Sequence, residues 1–309
     1  MKQKNYLKYN NYKQLKTNHI MIQFSTKQKH AIEIGSTKRN SLIRESLKAA
    51  DRAAGKSIRT EYLDTILAGT TGIGKTYNVE KAVHNSDIPS LTLKGNKSMF
   101  AFGADLMVLH SRIPAGKKMA LIIDDCDSFF ENKNNINILK GMTGKMGTRQ
   151  FQYNKKINPS SFTDLQNDLM EDYQTEGMHG FTVPCDNFIF IFTTNFVLPT
   201  EMEAKTLQSK GASAKANKML DLVAVRGRFN TKDFELTKEE NWGWLAEVGL
   251  NDGALDILTK EQAMILLDWV YTNWYDMKES NIRTIEKMSY EMVDYPEEYR
   301  DIWEADFLK

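Results

Sequence analysis

Two short stretches carry the clearest chemistry: Gly69-Thr70-Thr71-Gly72-Ile73-Gly74-Lys75-Thr76, and a pair of acids further on, Asp124 and Asp125. The first has the spacing G-x-x-x-x-G-K-[ST]. Glycines at those positions let the backbone wrap closely around phosphates with its N–H groups turned inward. A helix starting at the end of the stretch aims its positive end at the same charge. Lys75 would reach the β- and γ-phosphates of a bound nucleotide, and the Thr76 hydroxyl would bind Mg²⁺. The expected ligands are therefore ATP and Mg²⁺. A chance glycine-rich turn is the plain alternative, and the strand and helix expected on either side of the stretch count against it.

A phosphate site of this kind needs an acid at the tip of a neighbouring buried strand. Met119-Ala120-Leu121-Ile122-Ile123-Asp124-Asp125 supplies one: the apolar residues bury the strand, and the chain emerges on two carboxylates. Asp124 is the candidate to hold Mg²⁺, directly or through water, and Asp125 to polarise the attacking water. A strand that merely ends in an acidic turn is the alternative. A further apolar strand, Phe188–Phe192, ends at Thr193-Thr194-Asn195. Asn195 is the candidate to hydrogen-bond the γ-phosphate or orient the water; its rival role is a cap on the next helix. In a parallel sheet these three strand tips converge.

The elements that must position these residues can be read from periodicity. Ser41–Ala54 has helical spacing, with Leu42, Ile43, Leu47 and Ala50 on one face and Gly55 as its stop. Tyr62–Ala68 reads as a buried strand leading into the glycine-rich stretch, and Thr76–Asn85 as the helix after it. Ser90–Leu93 and Met119–Ile123 read as strands with a helix over Ala104–Ser111 between them; Asn187–Thr194 is another strand, rich in aromatic and β-branched residues. Strands alternating with helices predict an α/β fold, a parallel sheet sandwiched by helices. A polar stretch, residues 140–184, is too long for a bare connection and is expected to form a hairpin or an inserted arm. From about Asn241 only amphipathic segments remain: Trp242–Val248, Lys260–Trp274 and Ile282–Val293. The expected organisation is a basic arm over 1–40, a P-loop α/β domain over 41–240 with the 140–184 insertion, and a helical lid subdomain over 241–309.

Composition sets the wider bounds. The 309 residues are 41% hydrophobic and 26% charged, a globular balance. No apolar run approaches the roughly 20 residues that span a bilayer, and the polar, lysine-rich first thirty residues do not read as a signal peptide. The two cysteines, Cys126 and Cys185, suit a reducing, cytoplasmic setting. Cys126 sits in the acidic turn, which disfavours a thiolate. The five histidines lack ligand spacing, so Mg²⁺ is the only metal implied. The net charge of +1 is unevenly spread: Met1 to His30 carries seven lysines and no acid, with Tyr6, Tyr9 and Tyr12 interleaved, whereas Glu286 to Lys309 is mostly acidic. Such an arm could contact nucleic acid through phosphate neutralisation and base stacking. The plain alternative is a solvated tail, and a third is pairing with a neighbouring subunit's acidic end.

Taken together, these motifs resemble the AAA+ ATPases over roughly residues 41–293. Gly69–Thr76 corresponds to Walker A, Leu121–Asp125 to Walker B and Asn195 to sensor 1. The segment Leu222-Val223-Ala224-Val225-Arg226-Gly227-Arg228-Phe229 looks like the family's arginine-finger segment. The resemblance implies that Arg228, or else Arg226, enters the neighbouring subunit's site, the alternative being a surface arginine pair. Asn281-Ile282-Arg283-Thr284 is similar to the sensor 2 site, making Arg283 a candidate nucleotide contact, although helical charge patterning accounts for it as well. Met99-Phe100-Ala101-Phe102-Gly103 stands where family unfoldases place an aromatic–glycine pore loop, so Phe102 would grip a threaded polymer or else staple the following helix.

The resemblance further implies a homo-oligomer, a ring or spiral, that remodels a protein or nucleic-acid partner. Two departures stand out: Asp125 where the family has Glu, which would hold the water less well, and the long 140–184 segment. Asp-Asp in Walker B with Ile-Leu-Lys-Gly at Ile138–Gly141, and the lysine- and asparagine-rich composition, look like short bacteriophage members, which would place the chain in a bacterial cytoplasm. Two rivals to an ATP hydrolase remain: a nucleotide-dependent assembly switch or loader with little turnover, and a P-loop kinase acting on a small molecule.

Overall fold

The computed structural model describes residues 23–56, 63–95, 97–144, 149–174, 179–210 and 213–309. The chain begins with helix α1 (Thr26–Ala53), then β1 (Thr65–Gly69), α2 (Lys75–His84), β2 (Ser90–Lys94), α3 (Met99–Arg112) and β3 (Met119–Asp124). A short 3₁₀ turn, Asp127–Phe130, leads to α4 (Lys133–Met142), β4 (Gln150–Tyr153), α5 (Asp164–Tyr173) and β5 (Phe181–Pro184). Next come β6 (Phe188–Thr194), α6 (Glu201–Ser209), α7 (Ser213–Arg226), β7 (Asn230–Phe234) and α8 (Lys238–Asn251). Three helices close the chain, α9 (Lys260–Asn273), α10 (Ile282–Asp294) and α11 (Tyr299–Phe307). By compactness the chain divides into one unit over Ala31–Leu245 and another in which Ala246–Lys309 joins residues up to His30.

Five strands form one parallel sheet in the order β2-β3-β6-β1-β7. The central strands are apolar because both their faces are covered: all seven residues of β6 and all five of β1 are buried. Successive strand residues point to opposite faces. Phe188, Phe190 and Phe192 join one core with Phe102, Phe129, Leu139 and Phe151. Their neighbours Ile189, Ile191 and Ile122 are as deeply buried and face a second layer. The α/β sandwich expected from the alternating pattern is thus present. The outer strand β7 reads NTKDF, with two exposed residues, and its polar composition conceals it in the sequence.

Several expectations change. The helix expected from Ser41 begins at Thr26, so 26–40 of the stretch read as an arm is helical. Ser25 and Gln28 make the reciprocal capping bonds that start it: the Ser25 N–H donates to Gln28 Oε1 at 2.8 Å, and the Gln28 N–H to Ser25 Oγ at 3.3 Å. The basic, tyrosine-bearing residues 1–22 lie outside the described residues.

The 140–184 stretch folds as an antiparallel pair, β4 on β5, with α5 between them. Its apolar side, Phe151, Phe181 and Val183, belongs to the main core, so this side packs inward and does not project as an arm. Phe102 is only 1% exposed, inside α3, with its ring 5.0 Å from that of Phe129 and 6.2 Å from that of Phe151. This overturns its reading as a pore-loop grip, and with Lys97 as the residue before the Ser98 cap there is no apolar partner for a staple either. The glycine beside it has a packing role: a Cβ on Gly103 would sit 2.2 Å from the Phe151 ring.

The insertion is also fastened to the sheet by a buried ion pair. Asp64, just before β1, is paired with Arg149, just before β4, and neither side chain is more than 1% exposed. Burial pushes the Asp64 carboxyl up to about 6 against the pull of Arg149, so at neutral pH it is still a carboxylate.

The smaller unit is helical. Ile285, Met288, Ser289 and Met292 recur at helical spacing on the buried face of α10. Trp303 of α11 is fully buried, stacks edge-on with Trp269, and donates its indole N–H to the Met288 carbonyl at 3.2 Å. No described helix is long and apolar enough to cross a membrane.

Candidate nucleotide site

β1 ends at Gly69, where a side chain cannot fit: a Cβ would lie 2.5 Å from the backbone carbonyl of Phe234 on β7, and φ is 125°. The Thr70 N–H donates to Phe234 O at 3.0 Å, and the Thr70 hydroxyl accepts from the Leu236 N–H at 3.0 Å, so the loop is stapled to its outer neighbour. Gly72 and Gly74 both take left-handed φ values of 76°. Ile73 turns inward and is buried, Thr71 is exposed, and α2 starts at Lys75. The result is a backbone turn opening onto a helix N-terminus, as the glycine spacing requires.

Lys75 is 7% exposed. Its Nζ donates to the carbonyls of Gly69 at 2.9 Å and Thr70 at 2.8 Å, and to Asn195 Oδ1 at 3.0 Å. Burial lowers its pKa to about 8, opposed by the carboxylates of Asp125, Asp124 and Asp127, so at neutral pH it remains mostly a cation.

The register of β3 on β6 sets Asp124 beside Thr193. Thr76 Oγ1 donates to Asp124 Oδ1 at 2.5 Å, Thr193 Oγ1 donates to the same oxygen at 2.6 Å, and the two hydroxyls are 3.1 Å apart. Asp125 follows in a left-handed conformation, φ 54°, which turns its exposed side chain away from the strand direction. Its backbone N–H donates to Thr193 O at 3.2 Å, and its Oδ1 accepts from Asn195 Nδ2 at 3.4 Å. Asn195 therefore bridges Lys75 and Asp125. It is not a helix cap: Thr200 caps α6, in a reciprocal box with Glu203.

The structure thus brings together the glycine-rich loop, Lys75, Thr76, Asp124, Asp125 and Asn195 at the tips of β1, β3 and β6, which are adjacent in the sheet. The donors fit Mg²⁺. One hydroxyl and one carboxylate are hard oxygen ligands, too few for a protein-only cage and suited to an ion whose other ligands are phosphate and water.

The arginines are placed differently. Arg226 is half-buried and engaged within its own chain, donating to Leu198 O at 2.7 Å and pairing with Asp233 at 2.6 Å. Arg228 is exposed, with Nη1 on the Lys140 carbonyl at 2.5 Å. Arg283 is exposed in the first turn of α10, two residues after the Asn281 cap.

Three residues at the site were not singled out from sequence. Thr193 holds Asp124, Thr194 donates a short hydrogen bond to Asp127, and Asp127 is the third carboxylate acting on Lys75. The signal was available: two hydroxyl side chains closing a fully apolar strand, and a third acid two residues past Asp125. Cys126, between the acids, is buried and donates to Gly95 O at 2.9 Å; burial pushes its thiol up to about 11.

No protein-family model matches the sequence, and no curated protein matches it. Among solved structures, the S. cerevisiae Hsp104:casein complex in its extended conformation is similar over 88% of this chain, with a TM-score of 0.42 and 15% identity. This chain spans about half, 48%, of that one.

Proposed function

We propose that this protein is an ATP hydrolase of the AAA+ type, with a nucleotide site completed between subunits. The observation that carries the reading is the meeting, at adjacent strand tips beside a glycine-rich turn, of Thr76 with Asp124 and of Asn195 with both Lys75 and Asp125. Bound Mg²⁺ would neutralise charge on the β- and γ-phosphates. Lys75 exchanges its loop carbonyls and Asn195 for phosphate oxygens. Asn195, freed from the lysine but still beside Asp125, orients a water, and Asp125 accepts its proton.

Arg228 is the better candidate to serve a neighbouring subunit, because Arg226 already has an ion pair within its own chain. An arginine supplied in trans is worth about 10³-fold or more in rate. The resemblance of Asn281–Thr284 to the sensor 2 site keeps Arg283 as a candidate nucleotide contact in this reading. Hydrolysis in this reading drives remodelling of a protein or nucleic-acid partner. Two buried free thiols suit a reducing cytoplasm. The test is ATPase rate per subunit over a wide range of protein concentration. The rate should climb with concentration, and Arg228→Ala should stay flat. A flat, substantial rate in dilute monomer would refute the shared site.

Asp125 favours a second reading, a nucleotide-dependent assembly switch. Its side chain is one methylene shorter than glutamate and is held by Asn195 at 3.4 Å, a weak contact. Tight ATP binding with almost no turnover at any concentration would select it.

A further inference from the structure

At the metal side of the site, two hydroxyls converge on one carboxylate oxygen. Thr76 and Thr193 both donate to Asp124 Oδ1, and among the described residues no hydrogen bond reaches Oδ2. The two threonines are not equivalent. Thr76 is part of the loop-and-helix cradle, and its oxygen is the one that must turn to a metal ion when nucleotide arrives. Thr193 sits in the sheet, 1% exposed, next to the last residue of a strand whose every residue is buried. A β-branched side chain in such a place has little freedom at χ1. Asp124, by contrast, ends its strand half-buried, and once Thr76 swings away only Thr193 restrains it.

We propose that Thr193 is the positioning residue of the magnesium site, fixing Asp124 through Oδ1 so that Oδ2 faces the ion or its water. The inference rests on the reading of the site as a P-loop Mg²⁺–nucleotide site and adds to it a residue whose work is to hold a ligand in place. A carboxylate that has to be ordered on binding gives up affinity, and loss of an outer partner of a metal ligand typically lowers metal affinity about 10–100-fold. The same strand end also explains why two threonines stand together. Successive residues face opposite ways, Thr193 to Asp124 and Thr194 to Asp127, so the strand tip pins one acid on each side.

The experiment is a Mg²⁺ titration of binding of a fluorescent ATP analogue to the full chain, for wild type, Thr193→Val and Thr193→Ser, with nucleotide affinity in chelator and thermal unfolding measured alongside. The valine should raise the Mg²⁺ concentration at half-saturation about tenfold or more. It should leave metal-free affinity within about twofold, and the serine should return the midpoint close to wild type. An unchanged midpoint in the valine, or an equal loss with and without metal, overturns the proposal, because Thr193 would then serve packing alone. If the valine does not fold, Thr193→Ala carries the same comparison. Wild type that binds the nucleotide with no dependence on Mg²⁺ contradicts the P-loop Mg²⁺ reading itself, a result distinct from a normal wild type with an unaltered variant.

Discussion

Asp64 and Arg149 form a fully buried ion pair in which Arg149 Nη2 reaches both carboxylate oxygens, at 2.7 and 2.8 Å. The Phe190 N–H adds a third bond to Asp64 Oδ1 at 2.9 Å, and Arg149 Nη1 donates to Phe188 O at 3.0 Å. The pair therefore joins three elements, β1, β6 and the inserted β4–β5 ribbon, at the end of the sheet away from the strand tips. Removing one partner leaves the other charge buried and unpaired. Asp64→Leu or Arg149→Met should each lower unfolding free energy by about 3–5 kcal/mol in chemical denaturation, and the double variant should cost less than the two singles summed. A single substitution costing under about 1 kcal/mol would show that the pair does not fasten the insertion.

Phe102 belongs to the core and not to a substrate-gripping loop. Phe102→Ala should destabilise the fold by about 3–5 kcal/mol, read from the denaturation midpoint. A variant with wild-type stability that fails only in handling a partner would restore the pore-loop reading.

His110 gives a pH dependence. Its Nδ1 lies 2.8 Å from the Tyr173 hydroxyl, in a cleft that also presents Asp172, Gln174 and Thr182. Burial lowers its pKa below the ordinary 6.5. The unfolded chain then takes up a proton near pH 6.5 while the folded one resists it. The sign follows: stability is held above that pH and lost as pH falls below it. Between pH 7.5 and 5.5 the unfolding temperature of wild type should change less favourably than that of His110→Gln, the raised Asp64 carboxyl, which acts the opposite way, being common to both. An equal slope in the variant would remove His110 as a source of pH dependence.

Asn195 and Asp125 separate binding from chemistry. Asp125→Asn keeps the hydrogen-bonding shape but cannot accept a proton. It should hold ATP within about threefold of wild type and lose roughly 10²–10⁴-fold in turnover. Full turnover in Asp125→Asn would take the general-base role away from Asp125. Asp125→Glu tests the switch reading: a clear gain in turnover would identify the short side chain as the brake.

Much of this was legible because strong local signals and global packing agree. Gly69–Thr76, the apolar run into Asp124 and the run into Asn195 each named a strand tip, and the sheet order sets those tips side by side. The sequence was silent where the structure depends on a distant partner. Asp64 stands inside an apolar run and had to have a counter-charge, yet nothing local points to Arg149, 85 positions on. Edge strand β7 is polar because its outer side is not covered, so it carries no alternation to read. The start of α1 was missed although Ser25 and Gln28 spell a capping box, because the lysine-rich face that follows looks like tail. Thr193 is outshone in the sequence by the amide two residues on: a hydroxyl in a buried strand reads as filler until its acceptor is known.

The most direct test of the central claim is phosphate release from ATP with Mg²⁺ by wild type beside Lys75→Ala, with ATP binding measured on the same samples. The account predicts that wild type binds and hydrolyses ATP, and that Lys75→Ala, correctly folded, loses about 100-fold or more in turnover together with most of its affinity. Wild type that fails to bind ATP, or a Lys75→Ala protein that hydrolyses it at the wild-type rate, would contradict the account.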